Sequence, residues 1–326
     1  MPMKIFSPVL ALLAFFAAFN AHAAPAFPTD RPISLVVPFS AGGGTDILAR
    51  LVAARLGVLI QQSVVVDNKP GANGVLASQY VERAKADGYT LMFGSSSTHV
   101  LSPMLSPKKQ QMEQTRRTFS MVSIVAETPL VLAVNAKSPF QNLDQLLKAS
   151  RAKELSFGTF GSGSSPHVLG SLLAARTNAR LQHVPYKGSS PAITDLLGGH
   201  IDSVFLTVAA LSSHVEDKEV RALAVTGPHR VQTLPDTPTF KESGVAGLED
   251  SGWFAVFAPA GTPAPVLELL HDAIERVMAT PEAQAQLVEL GLRSSNGTRA
   301  LQAATWERSI AAMQAILALV KIEPDR

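Results

Sequence analysis

Short runs of β-branched and aliphatic residues alternate with longer stretches of helical apolar spacing, and the alternation occurs in two series separated by β-rich passages. That pattern restricts the chain to α/β layers, in which covering helices join strands into parallel sheets. In the first series Ile33 to Pro38, Val64 to Asp67 and Tyr89 to Gly94 read as strands, with helices over Thr45 to Leu59 and Asn73 to Lys85, a βαβαβ unit. In the second, strands are expected at Leu155 to Thr159, Gln182 to Pro185, Ser203 to Leu206 and Arg221 to Val225. Their helices fall near Leu143 to Arg151, Pro166 to Thr177, Pro191 to Leu197 and Val208 to Val215. Between Ser102 and Thr118 no period is clear; Pro103, Pro107 and four basic residues point to an exposed loop with one short helix.

The β-rich passages are Val122 to Val134, broken by Glu127-Thr128-Pro129, and Ser251 to Ala258, ended by Pro259-Ala260-Gly261-Thr262-Pro263. Helical spacing then runs over Pro265 to Ala279, Pro281 to Leu290 and Arg299 to Val320. A chain of 326 residues exceeds what one hydrophobic core usually serves. The expected organisation is two lobes, 25–125 with 253–326 and 126–252, whose two crossings form a hinge around a central cleft.

The N-terminus places Lys4 before an apolar run from Ile5 to Phe19 and then Ala21-His22-Ala23. A basic start, a short apolar core and small residues at a cleavage site describe a secretory signal peptide over residues 1–24, leaving about 300 residues. A membrane-spanning helix needs about 20 consecutive apolar residues, more than this core provides. Cysteine is absent, which removes disulfides, a lipid attachment site, thiol catalysis and thiolate metal binding. The expected location is the periplasm. Lys and Arg total 28, are scattered, and leave a net charge of +2, not the basic stripe of a nucleic-acid reader.

Two loops join a strand end to a helix start and consist almost wholly of Gly, Ser and Thr. The first is Pro38-Phe39-Ser40-Ala41-Gly42-Gly43-Gly44-Thr45-Asp46, and the second Gly158-Thr159-Phe160-Gly161-Ser162-Gly163-Ser164-Ser165-Pro166-His167. Ligands of open α/β sheets sit beyond the carboxyl ends of the strands, where glycine lets N–H groups approach an anion and a helix N-terminus adds positive potential. Either loop alone is also explained as a tight turn with glycine at positive φ. Asp46 argues against an anion at that point, unless it caps its own helix. A third loop, Gly94-Ser95-Ser96-Ser97-Thr98-His99, offers uncharged donors or is a solvated turn. Tyr186, after a second-lobe strand, is placed to close the cleft, and Lys187 to offer charge or face water.

Catalytic readings find little. The eight histidines show no H-x-x-x-H pair, and neither a dinucleotide fingerprint nor a P-loop is present. No G-x-S-x-G elbow occurs, so a hydrolase would have to use Ser164 or Ser165 with His167, and no carboxylate is evident to orient that histidine. No cofactor or metal site is expected.

Several segments, in order, carry a family resemblance: Arg31-Pro32-Ile33, Val37-Pro38-Phe39, Asp67-Asn68-Lys69-Pro70-Gly71-Ala72, Asp87-Gly88-Tyr89-Thr90-Leu91, His183-Val184-Pro185-Tyr186-Lys187-Gly188, Asp195-Leu196-Leu197-Gly198-Gly199, Arg221-Ala222-Leu223-Ala224-Val225-Thr226, Leu234-Pro235-Asp236-Thr237-Pro238-Thr239 and Ala258-Pro259-Ala260-Gly261-Thr262-Pro263. Through them the chain resembles the periplasmic receptors of tripartite tricarboxylate transporters, the TctC or Bug family, over nearly all of its mature length. The resemblance implies a type II periplasmic-binding fold of two Rossmann-like lobes, a monomeric receptor and not an enzyme. It also implies an organic acid ligand whose carboxylate is held between the two Gly-rich loops, partly through water, for delivery to a membrane permease. Carried over, the site comprises Phe39, Ala41, Gly42, Gly43 and Thr45 of the first loop and Ser162, Gly163, Ser164 and Ser165 of the second, with Ser95, Ser96, Ser97, Thr98 and Thr207 beside them. Where the family often has Phe-Asp this chain has Phe205-Leu206, which favours a more apolar ligand body. The stretch 108–118 lacks the family's Tyr-Asp pair, and Ser165-Pro166-His167 replaces a frequent Ser-Gln-His. A serine-type hydrolase and an orphan sensor feeding a signalling partner remain the alternatives.

Overall fold

The computed structural model describes residues 27–106, 111–249, 251–320 and 322. The expected signal peptide lies outside the described residues. Strands β1 (Ile33–Val37), β2 (Val64–Asn68), β3 (Thr90–Ser95) and β4 (Phe119–Thr128) enter one sheet; β5 (Leu130–Asn135), β6 (Leu155–Thr159), β7 (Leu181–Pro185), β8 (Ser203–Thr207) and β9 (Val220–Val225) form another. The chain then rejoins the first sheet through β10 (Gly252–Pro259) and β11 (Arg293–Ser294). The orders are β11-β4-β10-β3-β1-β2 and β7-β6-β8-β5-β9. The molecule is a two-lobed α/β protein with one sheet in each lobe.

The sheets are mixed and not wholly parallel. β1 runs parallel to β2 and β3, as β6 does to β7 and β8, but β10 is antiparallel to β3 and β4, and β5 to β8 and β9. The antiparallel members are the strands that cross between lobes or lie next to a crossing. β5 and β10 enter their sheets from the other lobe, so no covering helix turns them parallel.

Helix α1 (Gly44–Ile60) follows β1, α2 (Val75–Glu82) follows β2, and α3 (Gln111–Thr118) leads into β4. α4 (Leu143–Ala152), α5 (Ser165–Thr177), α6 (Ser189–Leu197) and α7 (Val208–Glu216) cover the second sheet, and α8 (Ala264–Met278), α9 (Pro281–Glu289) and α10 (Arg299–Leu317) follow β10. The expected loop over 102–118 is mostly helical where it is described. A π turn at Ser97–Leu101 runs into a helical turn at Ser102–Met104, with Val100, Leu101 and Pro103 buried. Pro103 fits because the first turn of a helix needs no N–H from it.

Adjacent residues of β1 serve opposite faces of their sheet. Val37 joins Phe93, Val122, Leu48 and Leu270 under α1 and α8, whereas Val36 joins Met92, Ile124, Phe257 and Trp306 under α2 and α10. The second lobe has its own core around Val131, Phe157, Leu172 and Phe205. Ile316 of α10 and Val320 beyond it pack against both that core and the first lobe's.

The two crossings lie side by side. Pro129 alone separates β4 from β5, and residues 226–251 separate β9 from β10. Pro129 has no N–H to continue a ladder, so pairing lapses there. The Leu130 N–H donates to Thr226 Oγ1 (2.9 Å) and the Thr226 N–H to the Leu130 carbonyl (2.8 Å), tying one crossing to the other.

Candidate functional site

The first Gly-rich loop leaves β1 and turns into α1 at the lobe boundary. Asp46, buried in the first turn of α1, organises it by accepting from the Gly42 N–H, Arg50 Nε and Asn68 Nδ2, each at 2.9 Å. Burial pushes its carboxyl upward, but the bonds from Arg50, Gly42 and Asn68 together hold it below the ordinary carboxylate range. Asp46 thus serves the loop and an arginine, not the helix-end N–H groups expected of a cap. One candidate is corrected in consequence: the Gly42 N–H is already taken, and both Ala41 and Gly42 are exposed at the rim. Gly43, Gly44 and Thr45 are buried.

Across the boundary this loop meets the turn before α6. The Ser40 N–H and hydroxyl both donate to the Lys187 carbonyl (3.1 and 3.0 Å), and the Ser190 hydroxyl donates to the Ala41 carbonyl (2.9 Å). Phe39 is buried among second-lobe side chains, its ring edge-on to Phe160 at 5.2 Å. Gly44 makes the tightest approach: a Cβ there would lie 2.2 Å from Thr207 Oγ1 and 3.4 Å from Ala209 Cβ. At Gly43 φ is −82° and a Cβ would meet Ser189 at an ordinary 3.5 Å.

A second set of contacts joins the third loop to the second Gly-rich loop. The Ser165 N–H donates to Ser97 Oγ (2.9 Å), the Ser97 and Ser165 hydroxyls lie 2.9 Å apart, and Ser96 Oγ is 3.4 Å from Ser165 Oγ. Thr98 does not face across: its hydroxyl takes the Ser95 N–H, bonds the Ser95 carbonyl and touches His99 Nδ1. The second loop spends its own donors internally, because N–H groups in a buried turn must find partners. Gly161 N–H goes to Thr159 Oγ1, Gly163 N–H to His167 Nδ1, and both the N–H and hydroxyl of Ser164 to the Gly161 carbonyl. Gly163, Ser164 and Ser165 therefore line the boundary without offering an N–H cradle, while Ser162 stands part-exposed at the apex. His167 stacks on His183 at 3.6 Å, and burial, aided by His167, lowers His183 to about 3. The His167 Nδ1 is taken by the Gly163 N–H, the Ser164 hydroxyl donates to the Gly161 carbonyl, and the Ser165 hydroxyl lies 2.9 Å from Ser97 Oγ.

Two further expectations change. The Tyr186 hydroxyl donates to Asp195 on α6 (2.6 Å) and is raised by burial and by that carboxylate, so it braces its own lobe. Leu206 is fully buried in the second-lobe core and has no surface left for a ligand.

Sequence reasoning missed Asn73. It sits in the turn between β2 and α2, where four successive residues take positive φ: Gly71 at 142°, Ala72 and Asn73 at 45°, and Gly74 at 87°. Ala72 in that region is strained, and Asn tolerates it better than most residues. The turn is wedged against Pro38 and Thr98. Asn73 faces the second loop, its Oδ1 3.4 Å from where a Gly161 Cβ would stand and its Nδ2 3.8 Å from the same point on Gly163. Both amide atoms are buried without a hydrogen-bond partner, as are Ser95 Oγ, Thr128 Oγ1, Thr207 Oγ1 and Ser251 Oγ at the strand ends and crossings. The cluster Gly71-Ala72-Asn73-Gly74 was the available signal, since a non-helical turn is implied where a helix start was expected.

Among the described residues no group of three or more His, Cys, Asp or Glu is placed to hold a metal, and no helix is long and apolar enough to cross a membrane. A polar hollow of ≈380 Å³ between α2 and α3, bordered by Gln79, Glu82 and Gln114, is lined by first-lobe residues and reaches Thr98 of the third loop.

Both glycine-rich turns lie at a boundary that the chain crosses twice, the first against Lys187 and Ser190 and the second against Ser96 and Ser97. The sequence model of the tripartite tricarboxylate transporter family receptor (TctC) matches residues 48–316. The chain belongs to this receptor family. Protein BugT of Bordetella pertussis is 37% identical over 279 residues, covering 83% of this chain and 84% of that one. Among solved structures, Rpa4515 of R. palustris with adipate superposes with a TM-score of 0.86 at 32% identity, covering 90% of this chain and 98% of that one. MatC (Rpa3494) of Rhodopseudomonas palustris with bound malate gives 0.82 at 27%, covering 89% and 100%. TctC receptors bind solutes and are not enzymes.

Proposed function

We propose that the protein is a periplasmic receptor that closes its lobes on a small organic carboxylate and delivers it to a membrane permease of the tripartite tricarboxylate type. The observation that carries the reading is the set of unpartnered buried polar atoms at the boundary, Asn73, Ser95, Thr128, Thr207 and Ser251, flanked by hydroxyl contacts that join the lobes. Buried polar atoms without partners are costly, and a ligand enclosed between the lobes would supply them. Hydroxyls and the first turn of α1 can donate to an anion without a counter-charge. The nearby carboxylate, Asp46, is neutralised by Arg50 and does not repel one. The adipate and malate bound by the two structural relatives are of this chemical class.

Calorimetry of the secreted chain against C4 to C6 mono-, di- and tricarboxylates, with small-angle scattering of free and saturated protein, tests the reading. Micromolar or tighter binding of at least one acid, with a smaller radius of gyration in the complex, is the expected result. Failure of every acid to bind refutes it. Delivery is tested separately, by uptake of the bound acid in cells with and without the cognate permease.

A further inference from the structure

We infer that Asn73 is the specificity-determining residue for the end of the ligand remote from its carboxylate, and that it selects a neutral group that both donates and accepts, a carboxamide or a hydroxyl. The inference rests on the carboxylate-receptor reading and deepens it.

The two sides of the boundary differ in what they can give. On the second loop the N–H groups of Gly161, Gly163, Ser164 and Ser165 are all engaged, so that side has little left with which to hold an anion. On the first-loop side lie the buried start of α1 and the unpartnered Thr207 hydroxyl. The carboxylate therefore belongs toward α1, and the rest of the ligand toward Asn73 and the two glycines it faces. An uncharged amide waits there with Nδ2 and Oδ1 both buried and both unpartnered. Satisfying both requires an acceptor and a donor together. A second carboxylate accepts only, and would set an oxygen against Oδ1. An alkyl tail would leave both atoms unsatisfied. A carboxamide pairs with both, and a hydroxyl can. Sites that hydrogen-bond a particular group discriminate strongly against analogues that lack it.

The backbone dictates which variants are informative. Asn73 has φ 45° and ψ 44°, a conformation that glycine and aspartate accept and that alanine resists. Asn73→Gly removes the amide without straining the turn, and Asn73→Asp replaces the donor with an acceptor. The experiment is calorimetry of wild type and both variants against four matched series at C4, C5 and C6: the ω-carboxamide acids succinamate, glutaramate and adipamate; the ω-hydroxy acids; the dicarboxylates; and the plain alkanoates. Thermal melts of each variant verify folding.

At the preferred length the wild type is expected to bind the carboxamide or hydroxy acid at least tenfold more tightly than the dicarboxylate and the alkanoate. Asn73→Gly should reduce that preference to less than threefold, and Asn73→Asp should bind the matching ω-amino acid at least tenfold more tightly than wild type does. A wild type that binds the dicarboxylate equally or better, or an Asn73→Gly protein that keeps the full preference, overturns the assignment while leaving the receptor reading intact. A wild type that binds none of the acids refutes both.

Discussion

Gly44→Ala in the first Gly-rich loop separates binding from folding. Gly44 is the first residue of α1, where alanine is favoured over glycine by up to about 1 kcal/mol, so the isolated first lobe should lose nothing. The added methyl carbon would stand 2.2 Å from Thr207 Oγ1 and 3.3 Å from Thr207 Cβ, both on the other lobe. Thr207 ends β8, pairs with Leu130 at the crossing and is 2% exposed, so it cannot swing into solvent to make room. Overpacking of this kind costs about 1–3 kcal/mol. That cost falls on the apposed state alone, and at about 1.4 kcal/mol per tenfold it weakens ligand affinity by about 5-fold to about 140-fold. Calorimetry gives the affinity, and a thermal melt without ligand gives the fold, which should be unchanged or slightly more stable. Gly43→Ala, whose methyl meets Ser189 at an ordinary van der Waals 3.5 Å, is the control and should bind more tightly than Gly44→Ala. Thr207→Ala added to Gly44→Ala should restore part of the loss. Wild-type affinity in Gly44→Ala would refute the argument, since the functional closed state would then not bring these atoms together.

Asp46→Asn keeps the shape of the side chain but removes the charge that holds Arg50 and the Gly42 N–H; we expect a loss of about 1–3 kcal/mol in urea unfolding and weaker ligand binding. Ser97→Ala and Ser165→Ala should each weaken binding about two- to tenfold and couple in a double-mutant cycle, because both remove the same contact across the boundary; strict additivity would count against it. Stability should fall as pH drops below 6.5. His99 and His183 are held neutral by burial with pKa about 3, so between about 3 and 6.5 the unfolded chain binds more protons than the folded one. At pH 5 each histidine then costs up to about 2 kcal/mol relative to pH 8, and a denaturation midpoint that does not move over that interval would contradict the burial of both rings. Asp46 acts in the same direction at lower pH: its depressed carboxyl contributes stability that is lost as pH falls through the folded value.

The strand-to-helix loops could be read from the sequence because glycine, serine and proline punctuate apolar runs that are buried on both faces, as Val36 and Val37 show. Hydrogen-bond accounting could not be read in the same way. Nothing local to Gly163 says that its N–H will be taken by His167, and nothing near Tyr186 says that its hydroxyl belongs to Asp195 on α6. The difference between Gly43 and Gly44 is likewise set by Ser189 and Thr207, which arrive only when the lobes meet. Residue type announces a capacity to bind, and the fold decides which donors are already spent. The stretch 102–118 was misread for a related reason: its prolines hide the helical period, yet Pro103 is placed where a helix start tolerates it.

The same accounting explains why ligand binding and lobe closure should be one event. Contacts such as Ser40 with Lys187 and Ser97 with Ser165 hold the lobes together, but each hydrogen bond of this sort yields only about 0.5–1.5 kcal/mol net, since water satisfies the same groups when the lobes part. Against them stand Asn73, Ser95, Thr128, Thr207 and Ser251, whose unpartnered atoms cost about 1–3 kcal/mol each when buried. On the proposed reading, closure on nothing is opposed by the groups that would recognise the ligand, and closure on the right molecule removes that opposition. A ligand can bias the two states only by its differential affinity for them, and here the differential is the partnering of those few atoms. Selectivity and closure are then read by one set of side chains, so a change at Asn73 should alter both which acid is held and how completely the lobes close upon it.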